Sequence, residues 1–195
     1  MLYLIIILVS ILLTAAANLA FLIPHTATVA FTVLLNVTLA AIAIFAADGI
    51  IAFIIRRLTP SKWYSHGKKI FKVTKKERNF YRKIKIKRWK DAVPELGFFT
   101  GFHKSDLQST SDEKYLSRFI IEANYGVVIH IANAIFGFII MFLPFCSSAG
   151  IWIPVFAVNF ILSILPVFVL RYIGYTLQGL YERAETDKQK HPATR

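Results

Sequence analysis

Long apolar stretches separated by polar breaks dominate the pattern along the chain. Residues 1–55 and 119–170 contain no lysine or arginine and are mostly aliphatic or aromatic. A helix that crosses the hydrocarbon core of a bilayer needs about 20 residues, so each block has room for two spans. Breaks at Pro24–Thr26 and Pro144–Gly150 divide the blocks. The pattern predicts an all-α integral membrane protein with four transmembrane helices, at about residues 2–23, 27–55, 126–145 and 151–173.

The first apolar stretch also has the length of a secretory signal peptide. Its alanines at positions 15–17 and 20 resemble a cleavage region. Signal peptides begin with a basic region, which this stretch lacks, and a second long apolar stretch follows at once. We therefore interpret residues 2–23 as a span that stays in the membrane.

Basic residues are concentrated between the second and third predicted spans. Of the 23 Lys and Arg residues, 18 lie between Arg56 and Arg118 and five between Arg171 and Arg195. Positively charged loops of membrane proteins stay on the cytoplasmic side. The asymmetry predicts a single, multi-pass domain of the cell membrane, with residues 56–125 in the cytoplasm. An even number of spans also places the N-terminus and a C-terminal tail at 176–195 there.

Composition narrows the class of protein and its partners. Hydrophobic residues make up 56% of the chain and charged residues 17%, with a mean hydropathy of +0.55, which is wrong for a soluble globule. The net charge is +12, and most of the basic residues lie in a segment with predicted spans on both sides. We therefore expect membrane lipids and not nucleic acid as the polyanionic partner. Cys146 is the single cysteine, which excludes an intramolecular disulfide.

The basic segment is interleaved with large apolar side chains, which predicts an ordered and partly helical structure. Thr74 and Glu77 form a capping-box pattern that predicts a helix to about Ile84 and a structural role for Glu77. The same pattern at residues 110–113 predicts an amphipathic helix lying on the membrane, with a possible bend at Gly126 before the third span. Basic and apolar residues alternate at positions 83–88, which predicts a short extended piece. Proline and glycine residues within positions 89–101 predict a loop.

Polar side chains inside predicted spans are the main candidates for chemistry, because burying them in lipid is costly. Asp48 lies about 12 Å inside Arg56, and His130 and Asn133 lie one turn apart on one helix face. If the second and third spans touch, these three form one polar cluster. Histidine is suited to removing a proton from a hydroxyl near neutral pH, and Asp48 or Glu122 is suited to orienting it. The alternative is a structural hydrogen-bonded pair between two helices.

Other site chemistries are not indicated. The histidines have no metal-ligand spacing, and no glycine-rich phosphate loop or nucleophile elbow occurs. No tightly bound cofactor is therefore expected. Lysines and arginines at a membrane surface suit a substrate that carries phosphates, such as acyl-CoA, and equally suit anionic lipid headgroups.

Several motifs together resemble one known family, the glycosyl-diaponeurosporenoate acyltransferases of staphyloxanthin-type carotenoid synthesis. The similarity is spread over residues 48–180. It rests on Pro60 with Trp63 and Phe71, on Ile86–Asp91 with Pro94, on Phe119–Glu122 followed by His130, and on Pro166 with Arg171 and Tyr172. The chain differs from the family pattern at Val127, Ile131, Ser163 and Leu170.

The resemblance implies transfer of a fatty acyl group onto a hydroxyl of a lipid or glycolipid acceptor. We assign His130, Glu122 and Asp48 to catalysis. We assign substrate binding to Lys87, Arg88, Trp89, Lys90, Asn133, Arg171 and Tyr172. The competing interpretations are a non-catalytic protein that binds anionic headgroups or scaffolds a membrane complex, and another transferase or reductase that uses a different phosphate-bearing cofactor.

Overall fold

The computed structural model describes residues 2–21, 26–93, 109–146 and 148–190. Within these ranges the regular structure consists of α- and 3₁₀-helices, with no strand. The α-helices are α1 (Leu2–Phe21), α2 (Ala27–Leu58), α3 (Lys75–Lys83), α4 (Ile86–Trp89), α5 (Glu113–Phe136) and α6 (Ala149–Lys190). Short 3₁₀-helices lie at Ser61–Tyr64, Lys69–Phe71, Lys90–Ala92, Gly137–Phe142 and Pro144–Cys146.

Four helices are long and apolar enough to cross a membrane: α1, α2, α5 together with its 3₁₀ extension, and α6. The predicted all-α class with four spans is thereby confirmed, and the protein is a membrane protein. Separate helices lie on either side of each predicted break, and residues 22–25 and 147 within the breaks lie outside the described residues. Thr26 begins α2, where its hydroxyl accepts a hydrogen bond from the backbone N–H of Val29 at 3.2 Å. Pro144–Cys146 forms the 3₁₀ turn that precedes α6.

The helices on either side of the second break are longer than predicted. The carboxylate of Asp112 accepts hydrogen bonds from the backbone N–H groups of Lys114 and Tyr115, so α5 begins at Glu113 and not near residue 126. Helix α6 continues beyond residue 173 and ends at Lys190. The predicted tail is therefore helical from residue 176 to Lys190.

The prediction of a separate helix lying on the membrane before Gly126 is wrong. Leu116 and Ile120 are almost fully buried in a cluster with Leu177 of α6. Their apolar stripe is therefore covered by protein. The predicted bend at Gly126 is also wrong, because α5 runs through this residue. The glycine instead makes room for a neighbour, since a Cβ atom there would lie 2.7 Å from Cδ1 of Leu170.

The chain divides into two compact units. The apolar unit comprises Met1–Ile54 and Ile131–Ile164, and the basic unit comprises Ile55–His130 and Leu165–Arg195. In the apolar unit, Val37, Ala40, Ile140 and Cys146 are at most 1% exposed and form the centre of the core. Large side chains on the outer faces of the helices are exposed, as expected for helices that face lipid.

In the basic unit, a further cluster of buried residues forms around α3 and α4, which together we call the α3–α4 segment. Val73, Tyr81 and Ile86 are buried together there. Thr74 caps α3 as predicted, because its hydroxyl accepts a hydrogen bond from the backbone N–H of Glu77 at 3.2 Å.

The extended piece predicted at residues 83–88 is not found. Lys85 adopts a left-handed conformation with φ of 51°, and α4 begins directly after it. This turn places Ile86, which is 1% exposed, against Val73 and Tyr81. The alternation of basic and apolar residues therefore arises from a turn between two short helices. The predicted loop lies outside the described residues from position 94 onward.

Candidate functional site

One face of α6 holds the α3 region in place within the basic unit. The guanidinium of Arg171 donates two hydrogen bonds to the carboxylate of Glu77, each 2.7 Å long, and a third to the backbone oxygen of Ile70 at 3.1 Å. Two parallel bonds between a guanidinium and a carboxylate fix both distance and orientation. The predicted structural role of Glu77 agrees with this geometry.

The same face of α6 makes two further contacts. The hydroxyl of Tyr175 accepts a hydrogen bond from Arg78 at 2.8 Å, and the guanidinium lies 4.8 Å from the centre of the tyrosine ring. The amide of Gln178 donates to the backbone oxygen of Phe71 at 3.4 Å. Positions 171, 175 and 178 share one helix face. Together they attach both α3 and the 3₁₀-helix before it to α6.

The environment of Glu77 determines its ionisation. Burial alone would raise its pKa, but hydrogen bonds from Arg171 and Tyr81, with the positive charge of Arg171, hold the pKa below its ordinary value. The hydroxyl of Tyr81 donates to Oε1 of Glu77 at 2.5 Å. Burial and this carboxylate raise the pKa of Tyr81. At neutral pH the group is therefore a carboxylate with a protonated phenol and a guanidinium beside it.

Aromatic packing completes the attachment of the α3–α4 segment. Tyr172 and Phe168 of α6 contact the ring of Tyr81, with ring centres 6.2 and 6.4 Å away. The indole N–H of Trp89 donates to the backbone oxygen of Ile84 at 2.9 Å, which closes the turn around Lys85. Three residues predicted to bind substrate, Arg171, Tyr172 and Trp89, thus make contacts that position the α3–α4 segment.

Most of the basic side chains on and beside α4 are exposed. Lys87 and Arg88 are exposed on α4, next to the exposed Lys85. Lys90 is half-buried, and its amine lies 2.6 Å from the carboxylate of Asp91. Exposed lysine and arginine side chains close together in sequence form a surface to which a phosphate group is attracted. We call Lys85, Lys87, Arg88 and Lys90 the α4 cationic surface.

Glu122 has a defined partner in the basic unit. Its Oε2 accepts a hydrogen bond from Arg56 at 2.8 Å. The Arg56 guanidinium also lies 5.2 Å from the ring centre of Tyr125, which stacks on Tyr64 at 3.8 Å. The amide of Asn124 donates to the backbone oxygen of Tyr64 at 2.8 Å. This network joins the end of α2 to the middle of α5.

His130, the predicted general base, is the last residue of the basic unit on α5. Its side chain is half-buried. Within the part of the chain that the structure describes, the imidazole forms no hydrogen bond with a protein group. Neither ring nitrogen is therefore engaged by a described protein group.

The other predicted members of the polar cluster belong to the apolar unit. The carboxylate of Asp48 accepts a long hydrogen bond, 3.4 Å, from the amide of Asn159. Asn133 is 5% exposed, and its Oδ1 is buried without a hydrogen-bond partner among the described residues. The grouping of both residues with His130 stays a prediction.

The sequence analysis missed two pairings. In the first, Asn159, which is buried on α6, bonds to Asp48. In the second, Glu77 and Arg171 pair across 94 positions. Asn159 carried the same signal as Asn133, a polar side chain inside an apolar span. For the second pair, the spacing of polar residues at 171, 175 and 178 was the available signal. Among the described residues, no group of three His, Cys, Asp or Glu side chains is arranged to hold a metal ion.

The family model described as glycosyl-4,4'-diaponeurosporenoate acyltransferase matches residues 60–183. The matched part runs from the end of α2 through α5 and covers most of α6. No match was found among curated proteins or among solved structures.

Proposed function

The chain belongs to the glycosyl-4,4'-diaponeurosporenoate acyltransferase family, and on that basis we propose that it is a membrane-bound acyltransferase. In the proposed reaction it moves a fatty acyl group onto a hydroxyl of a lipid or glycolipid. The observation that carries the proposal is the family match, because residues 60–183 include every candidate site residue except Asp48.

In the proposed mechanism His130 acts as general base. The imidazole takes the proton from the acceptor hydroxyl while the hydroxyl oxygen attacks the carbonyl carbon of a thioester such as acyl-CoA. A new C–O ester bond forms, the C–S bond breaks, and the thiolate leaves with the proton as a thiol. The absence of a hydrogen-bond partner for His130 among the described residues supports this role, since a base must be free to meet its substrate.

The carboxylates have secondary roles in this mechanism. Asp48 is the proposed carboxylate for orienting the imidazole, because Glu122 lies eight residues before His130 on the continuous helix α5, about 12 Å along its axis. Asn133 binds the acceptor hydroxyl through its unpaired Oδ1. Glu122 acts indirectly, by holding the guanidinium of Arg56 through Oε2 at 2.8 Å. A carboxylate beside histidine selects the tautomer that accepts the proton.

The acyl donor is a co-substrate and not a tightly bound cofactor. Its phosphates bind the α4 cationic surface, where Lys87 and Arg88 are exposed and Lys90 lies next to Asp91. Trp89, Arg171 and Tyr172 support this surface by fixing α3 and α4 to α6.

The test of the mechanism is His130→Ala, assayed in membranes with radiolabelled acyl-CoA and glycosyl-4,4'-diaponeurosporenoate as acceptor. Loss of a general base lowers the rate by about 10²- to 10⁴-fold. We expect that decrease in acyl transfer without loss of the protein from the membrane fraction.

The matched control is His66→Ala, which removes an imidazole that lies against Tyr181 in the same unit. We expect its activity to stay within about threefold of the wild-type activity, because His66 contacts Tyr181 and Glu182 and has no part in the proposed proton transfer. Unchanged transfer in His130→Ala would refute the role of His130 as base.

A second function is favoured by one observation, the exposure of Lys87 and Arg88. A non-catalytic protein that binds anionic lipid headgroups, or that scaffolds a membrane complex on them, would use the same cations at about 1 kcal/mol for each basic residue near the surface. Binding of the protein to vesicles containing anionic phospholipid would then weaken as salt is raised and would not change in His130→Ala. Acyl transfer that depends on His130 would reject this alternative.

A further inference from the structure

A half-open cleft lies in the apolar unit between α1, α2 and α6. Ser10 and Thr14 line it from α1, Ala41 and Phe45 from α2, and Val155 and Asn159 from α6. The space between the walls is about 460 Å³, including the part that is open to the surroundings. On α1 the lining runs from Ile7 to Thr14, roughly 10 Å along the helix axis.

Small side chains create this space. Ser10 and Thr14 lie one turn apart on α1, and Ala41 occupies the opposite wall on α2. The neighbouring positions Leu8, Leu12 and Ile42 carry large side chains, but these point away and are more than half exposed. The large residues that would fill the gap are therefore on the outer faces of both helices.

Two of the three polar side chains that line the cleft are already engaged within the protein. The hydroxyl of Ser10 donates to the backbone oxygen of Ile6 at 2.7 Å. The amide of Asn159 donates to Asp48. The remaining wall is aliphatic or aromatic apart from Thr14. A bound water needs two to four polar partners, so such walls do not hold water well.

An empty cleft is also unfavourable, because side chains at its walls lack van der Waals partners on one side. α1, α2 and α6 are long and apolar enough to cross a membrane, so their surroundings are lipid chains. Between helices in lipid, close packing is a principal source of stability. A hydrocarbon chain supplies the missing contacts and is present at high concentration.

We propose that this cleft is a binding site for one hydrocarbon chain of a bilayer phospholipid. The lined part of α1 is about 10 Å long, so the cleft contacts a segment of the hydrocarbon chain and not its whole length. The walls on α1 and α2 precede residue 60, where the family match begins. The α6 wall lies within the matched residues 60–183, but binding of a lipid chain is measured by labelling and not by acyl transfer.

The first experiment maps the lipid on the wild-type protein. The protein is reconstituted in phosphatidylcholine vesicles that contain a phosphatidylcholine with a photoactivatable diazirine in its acyl chain, and labelled residues are identified by mass spectrometry. We expect labelling of Ile7, Ile11 and Val155 to saturate as the probe fraction rises. Labelling of the exposed Leu8, Leu12 and Ile42 should rise in proportion to the probe. Proportional labelling at both sets would overturn the proposal.

The second experiment fills the cleft with Ala41→Phe. Its matched control is Ala46→Phe, the same substitution on the same helix at an exposed position. We expect cleft labelling to fall at least tenfold in Ala41→Phe and to stay unchanged in Ala46→Phe. Cleft labelling that survives in Ala41→Phe would refute the site. If that variant does not fold, Val158→Phe on the α6 wall replaces it, and the saturation measurement on the wild type still decides the question.

Discussion

The apolar unit and the basic unit hold their helices together by different means. In the apolar unit the helices approach closely at glycines. A Cβ atom on Gly137 would lie 2.8 Å from Nδ2 of Asn159, and one on Gly150 would lie 2.5 Å from Oδ1 of Asn18. In the basic unit the attachment runs through charge, because Arg171 binds Glu77 and Arg78 binds Tyr175.

The composition of each unit explains this difference. Lipid tails are as apolar as leucine, so spans gain little from burying leucine and more from close backbone approach and hydrogen bonds. The basic segment is rich in lysine and arginine, which repel one another. A carboxylate such as Glu77 lets one of these cations act as a link between elements. Each unit should therefore fail under a different kind of substitution.

The largest expected effect comes from Glu77→Ala, which leaves Arg171 without its carboxylate. Breaking a fully buried ion pair costs 3–5 kcal/mol, and because Glu77 is 22% and Arg171 17% exposed we expect about 2–3 kcal/mol. Limited proteolysis should show faster cleavage in the basic unit, with the apolar unit unaffected. Asp91→Ala, which removes a partner that is 62% exposed, is the control and should change cleavage little. Equal cleavage in both variants would contradict the central role of Glu77.

The same pair should make the basic unit sensitive to acid. The pKa of Glu77 in the folded protein lies below its ordinary value of 4.5, so its contribution to stability is complete above about pH 4.5. The contribution is lost as the pH falls through the folded pKa. Protease resistance of the basic unit measured from pH 6 to pH 3 should therefore decline. Glu77→Gln should have lower resistance at pH 6 and a smaller decline, and an identical pH profile for both proteins would contradict the assignment.

Gly137→Ala tests the close approach in the apolar unit. The added methyl group would press on Asn159, which is 5% exposed and so has little room to move, and we expect a loss of about 1–2 kcal/mol from overpacking. Thermal unfolding in detergent is the measurement. Gly49→Ala, where nothing lies within 4 Å of the new atom, is the control and should be neutral or slightly stabilising. A destabilised control would show that helix flexibility and not packing is responsible.

Gly126→Ala should have the smallest effect of this series. The new atom would lie 2.7 Å from the end of Leu170, a flexible side chain that is able to move, so we expect a loss below about 1 kcal/mol in the same thermal measurement. A loss as large as that of Gly137→Ala would mean that Leu170 is as tightly held as Asn159.

Several features of the site could be predicted from sequence because they depend on short segments. The cap at Thr74 needs only four neighbouring residues, and the structural role of Glu77 follows from it. The interpretation of Lys83–Arg88 as extended failed because alternation also fits a turn between two helices, and burial of Ile86 against Tyr81 decides between them. The contacts of Arg171 and Trp89 could not be predicted for the same reason, since their partners lie in another element or across a turn that the pattern did not indicate.

The sequence by itself determined the membrane class, the number of spans and the family. Hydropathy adds up residue by residue along one helix, and a family motif is read in chain order, so neither needs a fold. Only the tertiary structure decided that the stripe at Leu116 and Ile120 faces α6, that Gly126 accommodates Leu170, and that Glu77 pairs with Arg171. These contacts join residues far apart in the chain, and which helix faces meet depends on the packing of the whole unit.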